Sequence, residues 1–255
     1  MRRALVAVAV LLLMGAAEGV PPVDEIFAAG ETLDFSLTWL RMSGGSARMT
    51  IEPVAGDASK LRITSIAQTS RTFSRFYNVR DEIESIVDRE TFSTLHYRKL
   101  LHEGKRNKDE TTVIDPAKHE AVRRGDEYST VPTPVFDPLS LIFQLRRLEL
   151  VPGKVLRFPV FADGKLYTLE ATVTGRDTLT TEAGTFKTVV VRPKMEAGGI
   201  FRDDKGKLTI WYSDDPRHIP VRITSDVKIG SITATLRRVT NGVTKVEPTA
   251  AAQSK

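Results

Sequence analysis

Val155-Leu156-Arg157-Phe158-Pro159-Val160-Phe161, then Ala162-Asp163-Gly164-Lys165, then Leu166-Tyr167-Thr168-Leu169-Glu170-Ala171-Thr172-Val173-Thr174 is the stretch that decides the fold of this 255-residue chain. Two apolar-rich runs flank an Asp-Gly pair, and that pair tolerates the positive φ of a tight hairpin turn. Downstream, residues 186–191, 208–212, 219–223 and 232–236 read as further strands. Turn residues separate them, Asp214-Asp215-Pro216 among them. Upstream, residues 32–40 alternate strictly. Leu33, Phe35, Leu37 and Trp39 point one way, and Asp34, Ser36 and Thr38 the other, which buries one face and wets the other. Ser43-Gly44-Gly45-Ser46 reads as a turn, residues 47–51 as the returning strand and residues 61–66 as a third. Residues 82–88, 94–101 and 111–114 continue the series, followed by a polar stretch to Pro134. Many short strands with regular turns predict a mostly β fold: a single antiparallel curled sheet or an open β-barrel with one or two short helices.

Two segments leave the strand rhythm. Phe73, Phe76 and Tyr77 fall at i, i+3 and i+4, which suits a short helix with an aromatic face. Asp137-Pro138-Leu139-Ser140 opens a second helix. Asp137 is suited to N-cap the chain, and Pro138 to the first helical position, where its missing N–H costs nothing. Leu139, Ile142, Phe143 and Leu145 give that helix an apolar side. Arg146 and Arg147 follow near its C-terminus, where the helix dipole favours cations.

The N-terminus reads as an export signal. Met1-Arg2-Arg3 is a charged start, residues 4–14 are apolar, and Gly15 and Ala17 supply the small residues a signal peptidase requires. Cleavage is expected near Ala17. A membrane span needs roughly 20 apolar residues, and only fourteen uncharged ones run from Ala4 to Ala17. No later stretch is long and apolar enough to span. The chain therefore divides into a cleavable signal peptide (1–17), a leader (18–28) with the stiff Val20-Pro21-Pro22-Val23, one β-rich domain (29–240) and a polar, Ala-rich tail (241–255). The absence of cysteine removes thiol chemistry, thiolate metal sites and lipidation at the cut. The formal charge of +5, or +3 once Arg2 and Arg3 leave, is mild. Its basic pairs are scattered among acids, unlike the one-sided patch of a nucleic-acid binder.

Several ordered motifs resemble a known family. They are Ala29-Gly30-Glu31-Thr32-Leu33-Asp34-Phe35; Tyr77-Asn78-Val79-Arg80-Asp81 through Phe92 and Tyr97; Val135-Phe136-Asp137-Pro138-Leu139-Ser140 with Leu150-Val151-Pro152-Gly153; Glu182-Ala183-Gly184-Thr185-Phe186-Lys187-Thr188; and Leu208-Thr209-Ile210-Trp211-Tyr212-Ser213-Asp214-Asp215 ending in Ile219-Pro220-Val221. Together they are similar to the bacterial exported family called domain of unknown function 3108, over nearly the whole of residues 29–239. The resemblance implies a β-rich envelope protein, periplasmic in Gram-negative bacteria. It implies no catalytic residues.

Candidate chemistry is sparse. His96 and His102 share one face of a strand but lie about 20 Å apart at the usual rise, too far for one zinc ion. His119 and His218 sit in polar or turn sequence, so no metal site or cofactor is expected. No G-x-S-x-G elbow or S-x-x-K serine is present. Ser43-Gly44-Gly45-Ser46 lacks the Lys-Ser/Thr of a phosphate loop. Asp203-Asp204 and Asp214-Asp215 are paired carboxylates in turn-like sequence, where Asp serves the backbone. The aromatic residues remain: Trp39, Phe73, Phe76, Tyr77 and Trp211 are either core or the lining of an apolar ligand site. The leading expectation is a non-catalytic periplasmic protein that binds an apolar envelope ligand such as a lipid or acyl chain. An envelope-assembly module that engages another protein, and a hydrolase of envelope polymers using the aspartates, are the alternatives.

Overall fold

In the computed structural model, residues 22–40, 42–75, 77–195, 208–227 and 230–240 are described. A short helix α1 (Val23–Ile26) precedes strands β1 (Glu31–Trp39), β2 (Met42–Val54) and β3 (Asp57–Thr69). A single 3-10 turn, Phe73–Arg75, leads into β4 (Val79–Asp88), β5 (Thr94–Glu103), β6 (Arg106–Asp115), β7 (Glu120–Arg123) and β8 (Glu127–Thr130). Helix α2 (Pro138–Leu145) then separates these from β9 (Val155–Ala162), β10 (Lys165–Thr181), β11 (Gly184–Met195), β12 (Leu208–Ser213), β13 (Pro220–Asp226) and β14 (Ser231–Thr240).

All fourteen strands form one antiparallel sheet in the order β8-β7-β6-β5-β4-β3-β2-β1-β14-β13-β12-β11-β10-β9. The first and last strands are neighbours at its centre, and its two free edges, β8 and β9, come from mid-chain. The sheet curls without closing into a continuous ladder. Its β9 edge is tucked inside the curl. Phe136 forms a parallel bridge to Val160, donating its N–H to the Pro159 carbonyl and accepting from Phe161. Phe161 packs with Ile114, Ala121, Val131 and Val135. The opposite face of β9, through Phe158 and Val160, joins the main core.

The hairpin predicted around Asp163-Gly164 forms, with Asp163 at φ 50° and Gly164 at φ 77°. Three predicted details differ. Ser43-Gly44-Gly45-Ser46 is strand, and β1 turns into β2 after Trp39. A Cβ on Gly45 would lie 2.0 Å from the Gln68 carbonyl oxygen, so this glycine permits a close approach of β2 to β3. The polar stretch before Pro134 holds β7 and β8, whose polar side chains conceal a buried Ala121. The aromatic segment holds only one 3-10 turn, with Phe76 outside the described residues.

Helix α2 lies inside the curl. Asp137 caps it by accepting from the Leu139 and Ser140 N–H groups, at 2.8 and 2.9 Å. Leu139, Leu141, Phe143 and Leu145 are buried against the sheet. Tyr212 of β12 donates its hydroxyl to the Ile142 carbonyl at 3.0 Å. Phe27, just after α1, stacks on Phe92 at 5.7 Å and lies 5.9 Å from Phe143. The two helices thus fill one end of the interior.

Candidate functional site

Because side chains alternate across a strand, the register identifies which residues face into the curl, and on β1, β14, β4 and β5 their burial falls toward one end. On β1, Leu33 and Phe35 are buried, whereas Leu37 and Trp39 are half-exposed. On β14, paired antiparallel to it, Leu236 is buried, Ala234 half-exposed and Ile232 exposed. Val87 and Ser85 of β4 are buried, but Ile83 and Asp81 are not fully so. Tyr97 of β5 is buried, the Lys99 side chain is 12% exposed and Leu101 is partly exposed. The buried side is the one α2 occupies, where Ser85 and Thr94 bond Asp137. Beyond it the inward face is partly open to solvent, and this open end of the curl is the cup. Leu37, Ala67, Ile83, Tyr167, Ile223 and Ala234 line its wall and pack by their inner atoms on the core.

The structure divides the five predicted aromatics. Trp39 and Phe73 meet edge to face at the cup's rim, with centroids 5.7 Å apart. Gly230, at φ 75° in the β13–β14 turn, closes against Leu40 and the Trp39 indole nitrogen. Tyr77 lies at the same end, exposed, over Gly104 in the β5–β6 turn. Phe76 lies outside the described residues. Trp211 is elsewhere. Its neighbours Ile210 and Tyr212 point inward and are buried, so its own ring is on the outer face. There its N–H donates to Asp177 at 3.2 Å, and the Arg222 guanidinium sits 5.9 Å from the ring.

Sequence reading missed a charged cluster inside the curl. Lys99, Lys108, Glu110 and Arg123 all face inward, on β5, β6 and β7. Glu110, almost fully buried, is 3.3 Å from Lys99, 3.3 Å from Lys108, 2.5 Å from Arg123 and 3.2 Å from Arg124. Asp163, in the tucked hairpin turn, reaches Lys99 at 2.5 Å and Lys108 at 2.9 Å. Burial opposes ionisation of both carboxyls. The Arg123 hydrogen bond and the two lysines outweigh it for Glu110, and the two lysine hydrogen bonds and charges outweigh it for Asp163, holding each at about 2. The alternation of residues 94–103 carried the available signal: Lys99 falls two residues from Tyr97 and two from Leu101. The acids that complete the cluster come from β6 and from the β9–β10 turn.

The remaining candidates have structural partners. His96 and His102 lie on the outer face of β5. His218 donates through Nδ1 to the Arg146 carbonyl at 3.2 Å, and burial pushes its imidazole down. Asp214 pairs with Arg176 at 2.8 Å, and Asp215 accepts the Arg217 N–H at 2.9 Å. Asp203 and Asp204 lie outside the described residues. The Ser140 hydroxyl belongs to the capping box, accepting the Asp137 N–H at 3.0 Å. Among the described residues no group of three or more His, Cys, Asp or Glu side chains is placed to hold a metal ion. An outer depression of about 460 Å³ is lined by Asp34, Arg48, Ile66, Gln68, Glu182 and Arg238. Of its three arginines, Arg48 and Arg238 are tied to Asp34, at 2.7 and 2.9 Å, and Arg237 to Glu182 at 3.0 Å.

The family model described as protein of unknown function DUF3108 matches residues 34–237. A β-barrel-like protein of domain of unknown function DUF1849 from Brucella abortus superposes with a TM-score of 0.53 at 12% identity, covering 84% of this chain and 98% of that one. A Bacteroides fragilis protein with a YmcC-like fold aligns with a TM-score of 0.36 at 11% identity, over 83% of this chain and 95% of that one. No curated protein matches the chain.

Proposed function

We propose, for a chain that belongs to the DUF3108 family of proteins of unknown function, a non-catalytic role: binding an apolar envelope ligand, a lipid or acyl chain, in the cup. One observation carries the reading. Beyond the end of α2 the inward face carries an apolar stretch, Leu37, Ala67, Ile83, Tyr167, Ile223 and Ala234, that is left partly open to solvent. Apolar surface so placed is a standing free-energy source for a ligand that covers it. Trp39 and Phe73 supply broad, rigid contact at the rim. The charged start and apolar run of residues 2–14 support export to the periplasm. Among the described residues no helix is long and apolar enough to cross a membrane.

The test is native mass spectrometry of the full chain purified from a Gram-negative host, with titration of a fluorescent long-chain alcohol. We expect a co-purifying apolar mass and one saturable site. Ala67→Trp, which places a large ring in the cup wall, should abolish the site while leaving the circular dichroism spectrum unchanged. Ligand-free protein with no saturable uptake, or undiminished uptake by a folded Ala67→Trp variant, would overturn the reading.

A further inference from the structure

The cup is not apolar all round. Across the wall, Ile83 is paired directly with Lys99, and Lys99 with Glu110. One row further toward the rim, Ala67, Asp81, Leu101 and Lys108 follow one another. The apolar lining therefore runs straight into two ammonium groups on its own surface. Leu37 on β1 and Lys99 on β5 are four interstrand spacings apart, on the order of 19 Å across the strands, and offset along them, because Lys99 is level with Ile83, Ser65, Met49 and Leu33.

The partners of those ammonium groups differ in kind. Glu110 is sealed in and saturated by four cations. Asp163 is a turn residue with its side chain 46% exposed, and it is the solvent-side partner of both Lys99 and Lys108. An ammonium group carries three donors, and the two lysines use theirs on Glu110 and Asp163 at one side of the cup. A carboxylate or phosphate arriving from the mouth meets the same two nitrogens that Asp163 meets. Asp81 and Glu103, on the same inward face, are the acids that oppose this. Burial pushes the Asp81 carboxyl up, and one oxygen accepts the His102 N–H at 3.1 Å.

We infer that the ligand of the cup is an anionic amphiphile, its chain among Leu37, Ala67, Ile83, Ile223 and Ala234 and its acidic head group on Lys99 and Lys108, where it competes with Asp163. This rests on the cup being the binding site. The head group is a carboxylate, as in a free fatty acid, or a phosphate, as in a phospholipid. The chemistry shared by both is an oxyanion that takes charge-assisted hydrogen bonds from lysine.

The experiment is displacement of the fluorescent long-chain alcohol from the wild-type full chain by hexadecanoic acid, hexadecyl phosphate and hexadecanol. The two acids should displace it at concentrations at least tenfold lower than hexadecanol, with an advantage that shrinks as salt is raised. The more potent of the two identifies the head group. Lys108→Met should reduce the acid-to-alcohol ratio to near one, and Asp163→Asn should raise it several-fold by removing the competitor. Equal potency of all three compounds overturns the head-group inference and leaves the apolar cup standing. Failure of every compound to displace the probe overturns the cup and the inference together. Because the ratio is measured on the wild-type chain, the result does not depend on either variant folding.

Discussion

Arg146 is fully buried. Its guanidinium forks onto Glu31 at 2.6 and 3.2 Å, donates through Nε to the Arg217 carbonyl at 3.1 Å and lies 4.6 Å from the Phe27 ring. Arg217 adds a second cation to the same carboxylate. Removing one partner strands the other in low dielectric, so Arg146→Met should cost about 3–5 kcal/mol. Urea denaturation measures this, and Glu31→Leu in the same chain should recover part of it. In the sequence Arg146 reads as a cation at a helix C-terminus, where the dipole favours it. Nothing local reveals Glu31, 115 positions away. Glu110 and Asp163 make a second residue-scale prediction. Their folded values of about 2 lie below the ordinary 4.5 and 3.8. The stabilisation is therefore complete above about pH 5 and is lost as pH falls from there toward 2. The Glu110→Gln, Asp163→Asn double variant should be less stable at neutral pH and should show a flatter acid limb in thermal melts. An unchanged acid limb would rule out the cluster as the source.

At the scale of elements, α2 shows why a cap can be legible while its setting is not. The sequence Asp137-Pro138-Leu139-Ser140 announces a helix start by itself. The structure adds that the second carboxylate oxygen accepts from the Ser85 hydroxyl at 2.5 Å and the Thr94 hydroxyl at 2.8 Å, which locks the helix to β4 and β5. Asp137→Ala removes the cap and leaves two buried hydroxyls short of an acceptor. The expected loss is about 2–4 kcal/mol, read from the urea midpoint. Asp137→Asn keeps one acceptor oxygen and should lose less. The glycines of β2 illustrate the opposite case. Ser43-Gly44-Gly45-Ser46 has turn composition, but Gly45 is required by the closeness of the Gln68 carbonyl, a contact made with the next strand and invisible in a local pattern. The aromatic candidates divide on the same ground. Trp39 can be placed by the alternation of its own strand. The same rule, applied between Ile210 and Tyr212, puts Trp211 on the outer face, away from the cup.

For the whole molecule, the decisive fact is that chain order and sheet order disagree. Local hairpins account for most neighbouring pairs, and these are what turn residues and alternation make readable. The pairing of β1 with β14, Thr32 opposite Thr240 and Trp39 opposite Ile232, joins the ends of the domain at the middle of the sheet. It leaves β8 and β9, adjacent in sequence order but for α2, as the edges. Pairing at such separation is entropically costly before it is rewarded, so the central seam should close late and hold the two halves of the sheet together. A chain ending at Gly230 lacks β14. It exposes the inner faces of β1 and β13 together with Leu33, Phe35 and Val221, which are fully or nearly fully buried in the intact domain. Such a chain should show no cooperative thermal transition and should bind a hydrophobic dye strongly, whereas loss of pairing at the β8 edge should leave the cooperative transition in place. A sharp transition in the shortened chain would mean that the β1–β8 half folds on its own and that the cup needs only one wall.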